Sequence, residues 1–248
     1  MKIGILGAGA IGSTLARRLS RRGHDVTIAN SRGPETIGQE ALSTGARAVA
    51  AAEVAAGVEV LIVSVPMNRN TDIAEYVRAA PAGAVVIDTS NYYPVRDGRM
   101  AAFDEGQVET VWLSELFGRP VVKAWNAITA QSFDTKSTEA GDPHRVAIPV
   151  AADREADRAV AIELVEDTGF AGFDAGTLAE SWRQQPGAPA YCTDLTRAEM
   201  GAALTAAERE RLPKRRDLAV AVITERMGDG TSNPDADYLP RLNRAICM

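Results

Sequence analysis

Cysteine and histidine are scarce in this chain. Cys192 and Cys247 stand apart without CxxC spacing, which argues against both a thiolate metal site and a disulfide framework. His24 and His144 are the only imidazoles, and no Ser–His–Asp or Cys–His set can be drawn around them, which argues against hydrolysis. Positive charge is not in excess either. Lys and Arg number 27 against 33 Asp and Glu, and the net charge of −6 speaks against nucleic acid or an anionic membrane as partner. The longest apolar run, Val58 to Met67, is broken by Glu59 and is far too short to span a bilayer. Internal repeats, low-complexity tracts and flexible linkers are lacking. The first strand starts at Lys2, leaving no room for a cleavable leader, so a soluble cytoplasmic protein is expected.

What is present starts at once. The run from Lys2 to Arg32 reads as a short apolar strand ending in Leu6, a glycine turn, a helix and a second strand, Val26-Thr27-Ile28. The turn is Gly7-Ala8-Gly9-Ala10-Ile11-Gly12. Leu15, Ala16 and Leu19 share one face of the helix, and Gly23 ends it. A lone GxGxxG is a weak signal; set between strand and helix it is the dinucleotide-binding fingerprint. Gly7 permits the tight turn, Gly9 lets the backbone approach a pyrophosphate, and Gly12 allows close helix–strand packing. The free N–H groups and dipole of the helix then face the phosphates. An NAD site wants a carboxylate at the end of the second strand, for the ribose 2′-hydroxyl. Here Asn30-Ser31-Arg32 stands instead. With no carboxylate to repel a 2′-phosphate, Ser31 can donate a hydrogen bond and Arg32 a charge-assisted one. Pro34 suits the first position of the next helix. NADP(H) is the expected cofactor.

Strands and helices keep alternating. Ala46 to Val49 reads as a third strand, Ala51 to Ala56 as a short helix, and Val58 to Val65 as a strand buried on both faces. The latter ends at Ser64-Val65-Pro66, where proline turns the chain out. Thr71 to Ala80 reads as a helix and Ala84 to Ile87 as a strand ending in Asp88-Thr89-Ser90-Asn91. A charged stretch follows Gly98. Regular patterns resume with a helix at Val111 to Leu116 and the strand Val121 to Trp125, followed by Asn126 to Ala130. Two further strands, Val146 to Ala151 and Phe170 to Phe173, flank a helix over Asp153 to Thr168. The expected fold is α/β, a Rossmann-type doubly wound, mostly parallel sheet with extra C-terminal strands. That unit is expected to occupy residues 1–177. Residues 178–248 are expected to be a helical segment that covers the pocket or supports dimerisation. It holds two amphipathic stretches, Arg197 to Leu212 and Lys214 to Met227, and a tail rich in proline and glycine. In doubly wound sheets ligands lie outside the carboxyl ends of the strands. Gly7 to Gly12, Ser64 to Met67 and Thr89 to Asn91 therefore converge on one crevice.

GILGAGAIGSTLARRLSRRGH, ANSRGP, VLIVSVP, VIDTSN and VVKAWN resemble the NADP-dependent oxidoreductases typified by NADPH:8-hydroxy-5-deazaflavin (coenzyme F420) oxidoreductase. The resemblance runs from Met1 to about Gly176. It implies a sheet like the N-terminal domain of 6-phosphogluconate dehydrogenase, and 2′-phosphate contacts at Ser31 and Arg32. It also places the loop after VVKAWN, with Asn126, Ile128 and Ala130, beside the nicotinamide. In that family hydride passes directly between nicotinamide and a stacked deazaflavin, so few acid–base groups are needed. The C-terminal extension departs from a minimal reductase of this kind and leaves the second substrate open.

Further candidates carry two readings each. Asn91 and Asn126 are candidate substrate contacts, as are Trp182 and Arg183, which could stack on a planar ligand and pair with an anion. Trp182 could equally be structural. Tyr92 and Tyr93 follow the crevice lip and either touch substrate or pack a turn. Lys123 is a proton donor or a satisfied lysine within its strand. His24 belongs to a turn and His144 to a loop. Three function classes remain. One is an NADPH reductase of a deazaflavin or flavin. Another is a reductase of a small carbonyl, imine or quinone, which needs a proton donor near the nicotinamide. The third is a non-catalytic NADP(H) sensor. A homodimer is expected, because Leu195, Leu204, Leu212, Leu218, Val222 and Ile223 need a partner surface.

Arg32→Ala should weaken NADPH binding by roughly 1–3 kcal/mol, the loss of a charged hydrogen bond, and leave NADH nearly unchanged. Equal losses in fluorescence titrations with the two cofactors would contradict the 2′-phosphate assignment.

Overall fold

The computed structural model describes residues 1–228, 235 and 237–248. Six parallel strands form one sheet: β1 (Lys2–Leu6), β2 (Asp25–Ala29), β3 (Arg47–Ala48), β4 (Val60–Val63), β5 (Val85–Asp88) and β6 (Val122–Lys123). Their order is β3-β2-β1-β4-β5-β6. From β1 the chain winds outward to β3, then returns across the sheet to β4. The strand order thus reverses between β1 and β4, the switch point where such sheets bind ligands.

Burial follows from this topology. All four residues of β4 and of β5 are buried, since both faces of the sheet are covered. On one face the helix Ala10–Arg21 sets Leu15, Ala16 and Leu19 against Ile3, Ile5 and Ile28. On the other, Val77, Leu113 and Phe117 pack over Leu61, Val63 and Val86.

The extra strands, β7 (Ala147–Val150) and β8 (Ala171–Asp174), pair parallel with each other as a separate small sheet. An antiparallel bridge fastens this sheet to β6: the Lys123 N–H donates to the Ala151 carbonyl at 2.8 Å, and the Ala151 N–H returns a bond at 3.0 Å. The helix Glu155–Asp167 connects β7 to β8.

Several local expectations change. Ala51 to Ala56 forms turns instead of a helix, closed by three-residue bonds from Glu53 N–H to the Ala50 carbonyl at 2.9 Å and from Ala56 N–H to the Glu53 carbonyl at 3.0 Å. Pro34 opens only a short 3₁₀ turn, Pro34–Thr36. The stretch after Gly98 holds a helical turn at Ala101–Asp104. Arg197 to Leu212 is not one helix. It splits into a helix Arg197–Thr205, opened by a Thr196–Glu199 capping box, and a 3₁₀ turn before the helix Leu212–Met227. Of the tail rich in proline and glycine, residues 229–234 and 236 lie outside the described residues. Its end is the helix Tyr238–Cys247, with Pro240 in the first turn, where no N–H is needed.

The C-terminal segment buries its apolar side chains against the rest of the chain. Leu195 and Leu204 pack with Ala147 and Ala171 of the small sheet, and Leu212 packs beside Ala188 and Tyr191. Three of the positions expected to need a partner subunit are therefore satisfied internally, whereas Leu218 stays 50% exposed. No helix among the described residues is long and apolar enough to cross a membrane.

Candidate functional site

The glycine turn separates two roles that glycine can play. A Cβ on Gly7 would lie 2.0 Å from the Ser64 carbonyl oxygen, and one on Gly12 would lie 1.9 Å from the Gly7 carbonyl oxygen. Gly7 also has φ of +110°. The fold itself demands both glycines. Gly9 has an ordinary φ of −76° as N-cap of the helix, and a Cβ there meets nothing within 4 Å. That open space is what a phosphate needs to approach the backbone. The first turn of the helix holds no acidic side chain, and its first internal bond is Ser13 N–H to the Gly9 carbonyl. The N–H groups ahead of it point into an anion-binding position. A cleft of about 430 Å³ opens there, lined by Ala8, Gly9, Ala10 and, from across the crevice, Ala130. Arg17 lines it as well, ion-paired with Asp134.

At the end of β2, Asn30 folds back on its own turn. Its amide donates to Thr36 Oγ1 at 2.8 Å, and its Oδ1 accepts from the Arg32 N–H at 2.9 Å. This leaves Ser31 and Arg32 exposed, and the Arg32 guanidinium has no ion pair among the described residues. No carboxylate ends this strand. Ser64, Val65 and Pro66 sit beside Gly7 at the rim, with the Ser64 N–H bonded to the Leu6 carbonyl at 2.7 Å.

The neighbouring strand ends are fixed by a buried ion pair. Asp88 and Lys123 are register partners on β5 and β6, and their side chains meet at 2.8 Å with no solvent exposure. Asp88 also accepts from Ser90 N–H at 2.8 Å, Ser90 Oγ at 2.6 Å and Thr110 Oγ1 at 3.0 Å, while Lys123 also donates to the Ser90 carbonyl. Lys123 is thus the satisfied lysine of the two readings. Glu109 lies 3.7 Å from its ammonium, and its Oε2 has no hydrogen-bond partner. Burial pushes the Glu109 carboxyl up to about 7, against the pull of the Lys123 charge.

From these fixed ends the chain enters a second cavity, about 230 Å³, lined by Ile11, Asn91, Asn126, Ile128 and Ala130. Asn126 is locked there. Its amide nitrogen donates to Asn91 Oδ1 at 3.1 Å and to the Gln184 carbonyl at 2.7 Å, and its Oδ1 accepts from Gln184 at 2.9 Å. Trp125, at the bend before it, has φ of +55°, rare for a bulky residue. Ala130 lines both cavities, which places them on either side of it, one at the glycine turn and one at the strand ends.

The far wall comes from the C-terminal segment, the one expected to cover the pocket; Gly187, Tyr191, Cys192, Arg216, Ile223 and Asn243 line it, though the sequence singles out none of them individually as a site residue. The Tyr191 and Tyr93 hydroxyls are 2.7 Å apart. Cys192 and Asp194 both adopt left-handed backbone, and the last helix holds that turn. Asn243 donates to the Cys192 carbonyl at 3.2 Å and Arg244 to the Thr193 carbonyl at 2.7 Å. No local pattern announces these contacts. The signals are Tyr93, next to the crevice lip, and the expectation that residues 178–248 cover the pocket.

Trp182 and Arg183 stand outside this cavity. Trp182 is buried among Val108, Ala188 and Leu212, with the Arg183 guanidinium 4.3 Å over its ring. Arg183 is also paired with Glu180. Both are packing residues: an indole this large finds its best burial against the base of the Leu212–Met227 helix. His24 bridges the N-terminus and Asp167, and His144 is exposed in the loop before β7.

Residues 2–92 match the family model described as NADP oxidoreductase, coenzyme F420-dependent. A crystallised hypothetical protein from Sinorhizobium meliloti, SMa0349, is 31% identical, with a TM-score of 0.68 over 79% of this chain and 95% of its own. A crystallised protein from Arthrobacter sp., titled a putative F420-dependent NADP-reductase, shares the fold at 23% identity and a TM-score of 0.60, over 90% of this chain and 95% of its own. Protein YjhV of Escherichia coli is 46% identical over 77 residues, 29% of this chain and 56% of that protein. The chain thus spans about half the length of this curated relative.

Gly9→Val should fold normally and lose dinucleotide binding, while Gly12→Ala should lower the melting temperature; a Gly9→Val protein that still binds NADPH would contradict the open approach. A protonated Glu109 suits its site better than an ionised one. Its contribution to stability is therefore complete below about 4.5 and is lost as pH rises through about 7. Glu109→Gln should flatten the stability–pH curve across that window and stabilise the protein above it. Denaturant titrations that superpose for the two proteins would contradict this.

Proposed function

The chain belongs to the NADP oxidoreductase, coenzyme F420-dependent, family, and from that premise we propose that it transfers a hydride between NADP(H) and a small-molecule acceptor. The observation that carries this reading is the placement of the Gly9 cleft and of the cavity at the ends of β5 and β6 on either side of Ala130. The residues present fit the cofactor. Gly9 offers open space to a pyrophosphate, with the helix N–H groups behind it. Exposed Ser31 and Arg32, whose guanidinium has no ion pair among the described residues, suit a 2′-phosphate, and β2 ends without a carboxylate. Ile128 and Ala130, with Ile11, give the nicotinamide end an apolar surface. When bound, the cofactor supplies the hydride; the chain binds, orients and excludes water.

The acceptor divides two readings. The family description favours a deazaflavin or flavin-like ring. A cavity of about 230 Å³, walled by the C-terminal segment, favours a smaller carbonyl, imine or quinone. We propose that residues 178–248 act as the cover of this pocket. A homodimer is left with a narrower basis, the exposed Leu218 face of the Leu212–Met227 helix.

Titration with NADPH and NADH, followed by NADPH consumption with deazaflavin, flavin, quinone and carbonyl acceptors, tests this reading. Preferential NADPH binding with turnover of one acceptor class is expected. Tight NADPH binding with no turnover of any would overturn it in favour of a sensor.

A further inference from the structure

The cavity at the strand ends is small and equipped. Its volume of about 230 Å³ lies below the ~300–1,000 Å³ of sites for drug-sized ligands. A nicotinamide ring must share this space with whatever it reduces, which favours a small acceptor over a stacked tricyclic ring. The wall is also fastened. Tyr191 and Cys192 belong to a left-handed turn whose carbonyls are held by Asn243 and Arg244 of the last helix.

Into the same cavity face two tyrosines that neither the glycine turn nor the strand ends require. Tyr93 comes from the segment after β5 and Tyr191 from the C-terminal wall, and their hydroxyls are 2.7 Å apart. One proton serves the bond between them, so the other is free for a third oxygen. Burial disfavours both tyrosinates, so the pair holds its protons at neutral pH and releases one only to an oxygen that gains negative charge beside it. The Arg96 guanidinium lies 5.5 Å over the Tyr93 ring, at an exposed position, and tempers negative charge there. Arg216 is the one charged side chain lining the cavity among the described residues, so its field favours a neutral or anionic ligand.

We propose that the acceptor is a small aldehyde or ketone and that the Tyr191–Tyr93 hydroxyl pair supplies its proton, with Tyr191 as donor and Tyr93 as relay. The proposal rests on the NADP(H) reading above. As the carbonyl carbon gains the hydride that NADPH gives up, the C=O π pair moves onto oxygen and takes the Tyr191 proton. The carbonyl is reduced to an alcohol and NADPH is oxidised to NADP⁺. Tyr93 then returns a proton to Tyr191 and recovers its own from solvent on the Arg96 side.

The test uses the full chain, with NADPH fluorescence, NADPH consumption and calorimetric binding of a short-chain primary amide, a carbonyl mimic that cannot be reduced. Wild type should reduce short-chain aldehydes or ketones in preference to 8-hydroxy-5-deazaflavin. Tyr191→Phe should lower kcat by about 100-fold or more, as for loss of a general acid, and weaken amide binding in the presence of NADP⁺, with NADPH binding and melting temperature unchanged. Tyr93→Phe should lower kcat less and shift its pH profile. Faster reduction of the deazaflavin than of any small carbonyl would overturn the proposal. So would a Tyr191→Phe protein with wild-type kcat and amide affinity, or NADPH binding with neither carbonyl turnover nor amide binding. Failure of wild type to bind NADPH at all would instead overturn the cofactor reading beneath it.

Discussion

The candidate site depends on the ion pair between Lys123 and Asp88. Two charges without solvent exposure are costly to bury, and they are tolerated because hydrogen bonds from Ser90, Thr110 and the backbone fill the remaining positions. Removing one partner would strand the other charge, at about 3–5 kcal/mol. The pair ties β5 to β6 at the point where both strands end. Thr89 and Asn91 leave from one side of it and Asn126 from the other, so the cavity lip is rigid before any ligand arrives. Unpartnered Glu109 Oε2 adds a pH-sensitive neighbour to an otherwise satisfied group.

The site has two ends with different physics. At the glycine turn main-chain donors dominate, and the residues proposed for a 2′-phosphate, Ser31 and Arg32, are exposed. At the strand ends side chains dominate, and the C-terminal segment supplies half the wall. Water exclusion is what hydride transfer gains from that wall. Recognition of a doubly charged group gains from exposure, since the phosphate keeps part of its hydration.

Much of the first end is legible in the sequence. Gly7, Gly9 and Gly12 carry their reasons in their spacing, and strand–helix alternation fixes where the strand ends meet. The second end is not legible in the same way. Tyr191, Arg216 and Asn243 reach the cavity through contacts with residues far away along the chain, Tyr93, Tyr92 and Cys192, which leave no periodic trace. Trp182 and Arg183 attracted attention because an indole beside a guanidinium looks like a ligand platform. The same pair stacks just as well on itself, and the structure uses it so. Leu195, Leu204 and Leu212 looked like a dimer face because their partners, the small sheet and the turn at Tyr191, are distant in sequence.

Hydrogen exchange with and without NADPH tests the central claim, that one dinucleotide joins the glycine turn to the cavity under the C-terminal wall. The account predicts slower exchange at Gly9 to Gly12 and Ser31 to Arg32, together with slower exchange at Gly187 to Cys192. Protection confined to the glycine turn, with the C-terminal wall exchanging as it does without cofactor, would contradict it.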